Sequence, residues 1–253
     1  ERYGRIFAPD QIQNYSTKIY NITQEILKSK GICLVYSQYI DSGIIPLCLA
    51  LEELGFKRYG EREKSLFYQD KNDKDYKFDK LDSFSMKRYS QLRKYDPRRQ
   101  ASYVVISGNP SLSPSNKAEL LAVTKDSNMH GYEIKVVIIS VAGSEGLDFR
   151  NLRQVHILEP WYNRNRLEQV IGRGIRNCSH KKLRLEERNV CIYQHATISS
   201  LNPDIETADM LNYRLSELKE IKISKVKRVL KENSIDCNLN YLQTVFAEMR
   251  QEI

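Results

Sequence analysis

Apolar positions along this chain follow two alternating rhythms. Short runs rich in apolar residues fall at 32–36, 103–106, 134–139, 154–158 and 189–195. Runs this short predict strands, and the wholly apolar one at 32–36 is of the kind that a parallel sheet buries on both faces. Between them the spacing lengthens to the helical period. It predicts a helix over 16–29 with Ile19, Ile22, Ile26 and Leu27 on one side, and another over 42–54 that closes at a Gly55 C-cap. A third spans 115–124 behind Ser115 as N-cap, and a fourth carries Gln169, Gly172, Arg173 and Arg176. Beyond Pro203 the pattern is helical, over 204–220, 221–233 and 239–252. Strands alternating with helices predict an α/β fold: a parallel sheet flanked by helices, joined by right-handed βαβ crossovers, with a helical extension at the C-terminal end.

One stretch breaks the rhythm. Residues 57–100 are dense in both charges, carry tyrosines at 59, 68, 76, 89 and 95, and lack periodicity. Two readings stay open. One is a mobile surface insertion. The other is an auxiliary nucleic-acid contact, with Lys87, Arg88, Arg93, Lys94, Arg98 and Arg99 on phosphates and Tyr89 and Tyr95 stacked on bases.

Composition narrows the classes. With 253 residues, 41% of them hydrophobic, the chain can bury a substantial core. No apolar stretch approaches the roughly 20 residues that span a bilayer, and no secretory signal is evident, so no membrane association is expected. A net charge of +8 and a pI near 9.1 suit a polyanionic partner. The five cysteines (33, 48, 178, 191 and 237) are scattered, and Cys33 and Cys191 fall in runs expected to be buried strands, which favours a reducing compartment. Cys178 and His180 with Cys191 and His195 have a superficial zinc spacing. The last two, however, would lie about 13 Å apart along one strand face at about 3.3 Å per residue, so no metal site is expected.

The candidate chemistry lies between 134 and 180. At helical spacing Gln169, Gly172, Arg173 and Arg176 share one face within about 100°. Leu167, Val170, Ile171 and Ile175 form the opposite face, toward the sheet. Two glycines inside a helix, Gly172 and Gly174, each cost about 1 kcal/mol relative to alanine, which predicts a close approach to the backbone. Two arginines on one face form a rigid donor array for phosphate oxygens. The preceding loop, 140–148, leaves a strand at the end where ligands collect in parallel sheets. Its Gly143 and Gly146 permit tight turns, its amides with the Ser140 and Ser144 hydroxyls suit a phosphate, and Asp148 is a candidate acceptor for a ribose.

These segments in this order resemble the second RecA-like domain of superfamily 2 helicases. Residues 140–148 match motif V, 169–176 match motif VI, and 31–40 match motif IV. Leu-Glu-Pro-Trp-Tyr-Asn at 158–163, Cys-Ser-His at 178–180, Glu-Glu-Arg-Asn-Val at 186–190 and 231–237 are similar to helicases of large cytoplasmic DNA viruses, the group of nucleoside triphosphatase I and the poxvirus early transcription factor small subunit. The resemblance covers nearly the whole chain and is weakest over 57–100. It implies a linker and lead-in helix over 1–30, a RecA-like helicase C-terminal lobe over 31–200 with 57–100 inserted, and a helical extension over 201–253.

The resemblance also implies roles. Arg176 would be the arginine finger on a γ-phosphate, with Arg173 beside it. Gln169, Gly172, Gly146, Glu145 and Asp148 would line the nucleotide cleft. Ser37, Gln38, Ser107, Lys117 and Ser140 would touch a nucleic-acid backbone. The chain has no Gly-x-x-x-x-Gly-Lys-Ser/Thr run. ATP and Mg²⁺ are therefore expected to be held mainly by a preceding RecA-like domain of a longer protein, and this piece alone is expected to be inactive. Glu145 replaces the arginine of DEAD-box RNA helicases, Gln169 departs from their histidine-rich motif, and the Trp161 segment is similar to chromatin-remodelling translocases. Together these favour DNA over RNA. The family further implies a viral RNA polymerase partner, a role in transcription, and residence in host cytoplasm, viral factory or virion. A non-enzymatic domain that binds nucleic acid or polymerase stays open as the alternative.

Overall fold

The computed structural model describes residues 4–60, 65–67, 78–110, 112–141, 148–202 and 204–235. Six strands form one all-parallel sheet: β1 (Ile32–Tyr36), β2 (Lys57–Arg58), β3 (Ser102–Ile106), β4 (Val136–Ile139), β5 (Leu152–Ile157) and β6 (Cys191–Gln194), in the order β2-β3-β4-β1-β5-β6. Among the described residues the α-helices are α1 (Ile12–Tyr15), α2 (Thr17–Lys28), α3 (Ile45–Leu54), α4 (Asn116–Thr124), α5 (Arg164–Gly174) and α6 (Ala208–Glu232). Every residue of β1, β3 and β4 is buried, as continuous apolar strands between helical layers require.

Local chemistry sets the boundaries. Ser16 Oγ accepts the Ile19 amide and starts α2, which buries Ile19, Ile22 and Ile26. Helix α3 follows a π-turn over Ile40–Ile44, so it begins later than its apolar spacing suggests. It ends at Gly55, whose φ of +102° admits few other residues; a Cβ there would collide with Asp79 O. Strand β2 was not legible in the sequence: two residues, Lys57 and Arg58, paired to Ser102 and Tyr103, carry no periodic signal.

Two other expectations are corrected. Strand β6 is an exposed edge, and Cys191 lies open on it. The helices expected at 204–220 and 221–233 are one helix of 25 residues, α6, because neither glycine nor proline interrupts it. The third, 239–252, lies outside the described residues.

Several buried polar groups are paired across elements. Glu52 accepts the Tyr103 hydroxyl at 2.7 Å and the Leu66 amide at 3.1 Å, and Arg5 pairs with Glu53. Between α2, β1, β5 and β6 runs a polar chain. His195 Nε2 lies 3.1 Å from His156 Nδ1, and His156 Nε2 lies 3.1 Å from Gln154 Oε1. Gln154 Oε1 also accepts the Cys33 thiol at 3.2 Å, and its amide donates to Glu25 O. An amide oxygen can only accept, so His156 carries its proton on Nε2 and takes one from His195 at Nδ1. Burial holds both rings neutral, with His156 pushed down to about 3 and His195 to about 4.

The chain divides into two compact units, Glu1–Pro160 with Leu167–Thr197, and Trp161–Arg166 with Ile198–Ile253. Within the second, the Arg166 guanidinium lies 4.4 Å from the Trp161 ring centroid. Lys219 Nζ lies 4.4 Å from that of Tyr162 and donates to the Tyr162 carbonyl.

Candidate functional site

The site begins where α5 ends. Gly174 closes this helix against β5: a Cβ there would lie 2.8 Å from Val155 Cγ2. Arg176 therefore sits in the turn beyond the helix, not on it, and Ile175 is 52% exposed instead of facing the sheet. The chain then folds back onto the start of β5. The Asn151 amide donates to Ser179 O at 3.2 Å, and His180 Nε2 lies 2.6 Å from Leu152 O. Asn151 and Cys178 hold left-handed backbones, each at φ +59°. Asparagine tolerates that region; cysteine does so less readily, and local hydrogen bonds hold the turn in place.

This fold-back sets Arg176 against Asp148, Nη1 to Oδ1 at 3.0 Å, with the two side chains 48% and 52% exposed. Around the pair lies a cavity of about 200 Å³ that also receives Arg150, Lys181 and Lys182. Those three cations were missed by sequence reasoning; the basic run after motif VI and the arginine after Phe149 were the available signals. Lys182 pairs with Asp126 at 2.5 Å, and that ion pair holds the Asp126 carboxyl below its ordinary range. The arrangement is a mainly cationic, solvent-open recess with one carboxylate, suited to an anion that brings hydroxyls as well as phosphates.

Gln169, Gly172 and Arg173 keep a common face on α5, with Gln169 exposed and the other two half-buried. The two glycines part company. Gly174 is required by β5, whereas no atom lies within 4 Å of a Cβ built on Gly172. Glu145 and Gly146, with Gly143 and Ser144, lie outside the described residues.

The backbone-contact candidates gather at the carboxyl ends of the strands. Ser37 and Gln38 follow β1, Ser107 follows β3 and Ser140 follows β4, while Lys117 is exposed in the first turn of α4. The three serines are buried. Ser107 Oγ accepts the Asn109 amide, and Ser37 Oγ lies 3.0 Å from Glu159 Oε1. Ser115 makes no cap bond; Ser113 and Asn116 order that turn instead, bonding Val105 O and Ser107 O. Glu159, just past β5, was also missed. Its second oxygen accepts the Gln38 amide at 3.1 Å, so a carboxylate fixes the loop that would meet a polyanion.

Among the described residues no three metal-ligating side chains converge. The His180 and His195 nitrogens are taken by Leu152 O and His156. No described helix is long and apolar enough to cross a membrane.

Comparison with known proteins places this geometry. The helicase conserved C-terminal domain matches residues 18–178, more than half of the chain. A putative ATP-dependent RNA helicase, R563, of Acanthamoeba polyphaga mimivirus is 31% identical over 90% of this chain and 34% of its own length. A termination factor NPH-I homolog of African swine fever virus is 30% identical over 74% of this chain and 27% of its own. The chain thus spans about a third or less of these relatives. Among solved structures, the C-terminal part of the Fun30 ATPase domain aligns over 86% of this chain and 60% of that one, at 13% identity and a TM-score of 0.41. With its all-parallel six-stranded sheet and its matched motifs, the chain belongs to the helicase conserved C-terminal domain family, of the kind found in large DNA viruses.

Proposed function

We propose that this chain is the C-terminal motor lobe of an ATP-dependent superfamily 2 helicase or translocase. Arg176 would be the finger on the γ-phosphate, with Arg173 beside it and Asp148 turned to the ribose. The observation that carries the reading is the exposed Asp148–Arg176 pair on a cation-lined recess. A guanidinium there is accessible to a triphosphate presented from outside this fold. ATP with Mg²⁺ would be held mainly by a preceding RecA-like lobe. This chain would add positive charge as the γ-phosphoryl group departs, the effect that preorganised donors exert on developing charge.

Nucleic acid would cross the carboxyl ends of the strands, near Gln38, Lys117 and the turns at Ser37, Ser107 and Ser140. Such backbone contacts are blind to sequence and sensitive to salt. DNA is favoured over RNA, on Glu145, Gln169 and the Trp161 segment. The reading extends to viral transcription, with RNA polymerase as partner, in the host cytoplasm or the virion; the termination-factor name of one relative supports it.

In the full-length protein, Arg176→Ala is expected to lower nucleic-acid-stimulated ATP turnover by about 10³-fold or more while leaving DNA affinity intact. A loss under about threefold, less than about 1 kcal/mol of barrier, refutes the assignment.

A further inference from the structure

Half of this chain's excess positive charge lies in one short stretch. Between 78 and 100 there are seven Lys and Arg against three Asp, while the whole chain carries +8. The neighbouring stretch 61–77 is neutral, with five of each sign. The excess is therefore local.

The three aspartates are used in folding that stretch. Asp82, 1% exposed, accepts the Ser85 amide and hydroxyl at 2.8 Å and the Arg99 amide at 2.9 Å. Asp79 accepts from Ser90, and Asp96 accepts the Arg93 amide at 2.9 Å. Bridges from Leu81 to Arg88 and from Asp82 to Gln100, with Leu81 in the core, fix the base of the loop. Among the described residues, no carboxylate lies within ion-pair distance of Lys87, Arg88, Arg93, Lys94 or Arg98. The result is an ordered loop whose aspartates are taken by its own amides and hydroxyls, Asp82 in the interior, and whose cations, Arg88 apart, are exposed.

Aromatic rings stand among those cations. Tyr95 is 89% exposed beside Lys94, and the Arg98 guanidinium lies 5.7 Å from the Tyr89 ring centroid. Phe84, 46% exposed, packs 4.8 Å from Tyr132, and Arg99 pairs with Glu133 at 3.3 Å, tying the loop to residues 130–133. An acidic polypeptide would use the charges but not the rings. Single-stranded nucleic acid uses both, with phosphates on the cations and bases on the aromatic faces.

We propose that the surface formed by 80–99 and 130–133 is a second binding site for single-stranded nucleic acid. It lies at the amino end of β3, and that five-residue strand puts it about 16 Å from the turn at Ser107. It therefore holds a different part of the strand from the one at the carboxyl ends. The inference stands whether or not Arg176 is the finger.

The test is binding of a fluorescein-labelled oligothymidylate to the full-length protein across a salt series. Variants are Arg93→Ala/Lys94→Ala/Arg98→Ala together, Tyr95→Ala alone, and Lys117→Ala for the other path. The triple variant is expected to bind at least about tenfold more weakly and to lower the slope of log K against log salt by about 2. Turnover at saturating oligonucleotide should not change. Tyr95→Ala is expected to bind at least about fivefold more weakly, with little change in slope. Wild-type affinity and slope in a triple variant with unaltered melting overturn the proposal. Full displacement of the oligonucleotide by polyglutamate, with Tyr95→Ala silent, also overturns it, in favour of an acidic protein partner.

Discussion

Gly172 and Gly174 stand two residues apart on α5, and replacing each by alanine is expected to act in opposite directions. At Gly172 the added methyl meets open space and the backbone is helical, so only helix propensity changes. That gain is about 0.8–1 kcal/mol. At Gly174 the methyl would lie 2.8 Å from Val155 Cγ2 and 3.4 Å from Leu152 Cδ1. Valine is stiff about χ1, so the contact is relieved only by moving the helix or the strand. Overpacking of this kind costs about 1–3 kcal/mol. Alanine's propensity offsets less than about 1 of it, since the position is the last of the helix. A net loss of about 1–2 kcal/mol follows. Urea unfolding of both variants, compared by midpoint at constant m, measures the two signs. A Gly172→Ala protein that loses stability, or a Gly174→Ala protein as stable as wild type, refutes the packing account of α5. The same pair bears on function. If the face bearing Gly172 closes on nucleotide in the intact motor, Gly172→Ala is expected to lower ATP turnover while raising stability, a combination that damage to the fold cannot produce.

Two further outcomes follow from buried polar groups. The His156–His195 pair is neutral in the fold, with both values depressed below the ordinary histidine range, so its stabilisation is complete above about pH 6.5 and is lost as pH falls toward about 4 and then 3. For His156 the loss between pH 8 and pH 5 is about 2 kcal/mol, and His195 adds a smaller share because solvent reaches it. Urea midpoints that stay constant over that range would exclude a neutral pair. Asn128, fully buried, donates to Val123 O and Ile134 O and accepts the Glu133 and Ile134 amides, all between 2.9 and 3.2 Å. Asn128→Ala strands those four backbone groups and is expected to cost about 2–4 kcal/mol. A thermal shift within a degree of wild type would show that water replaces the side chain.

Most of the sheet was legible because β1, β3 and β4 are short, mainly apolar runs of the kind that a doubly covered parallel sheet buries. Strand β2 was not, since Lys57 and Arg58 owe their place to pairing with β3. The motif arginines were legible as a pair, but not their placement. Helical spacing put Arg176 in line with Arg173, and the helix stops earlier because β5 leaves no further room beside Gly174. Arg150, Lys181, Lys182 and Glu159 were missed for a related reason. Each reaches its site through a tertiary fold-back, between Asn151 and Ser179 or between Gln38 and Glu159, that no local period encodes. The composition of 57–100 did hint at polyanion binding. What the sequence withheld was that the three aspartates between 78 and 100 are taken by local amides and hydroxyls, without which the seven cations and three anions there are simply a solvated surface.

If Arg176 is the finger that the proposed function makes it, the Asp148–Arg176 pair also bears on how it is kept ready. Left alone, a guanidinium on a turn explores many rotamers, and ordering it costs up to about 2 kcal/mol when a phosphate arrives. Held at 3.0 Å by a half-exposed carboxylate, Arg176 has already met much of that cost. The hold is weak, since a solvent-exposed ion pair is worth about 0–1 kcal/mol. On the proposed function a triphosphate, with more charge and more acceptor oxygens, would displace the carboxylate easily and leave Asp148 to a hydroxyl. On the proposed function, Asp148→Asn should therefore do less harm than Arg176→Ala. It should slow turnover through a looser Arg176 and raise KM through the weaker acceptor. An Asp148→Asn enzyme with unchanged KM and kcat would show that the carboxylate neither orients the arginine nor meets the nucleotide.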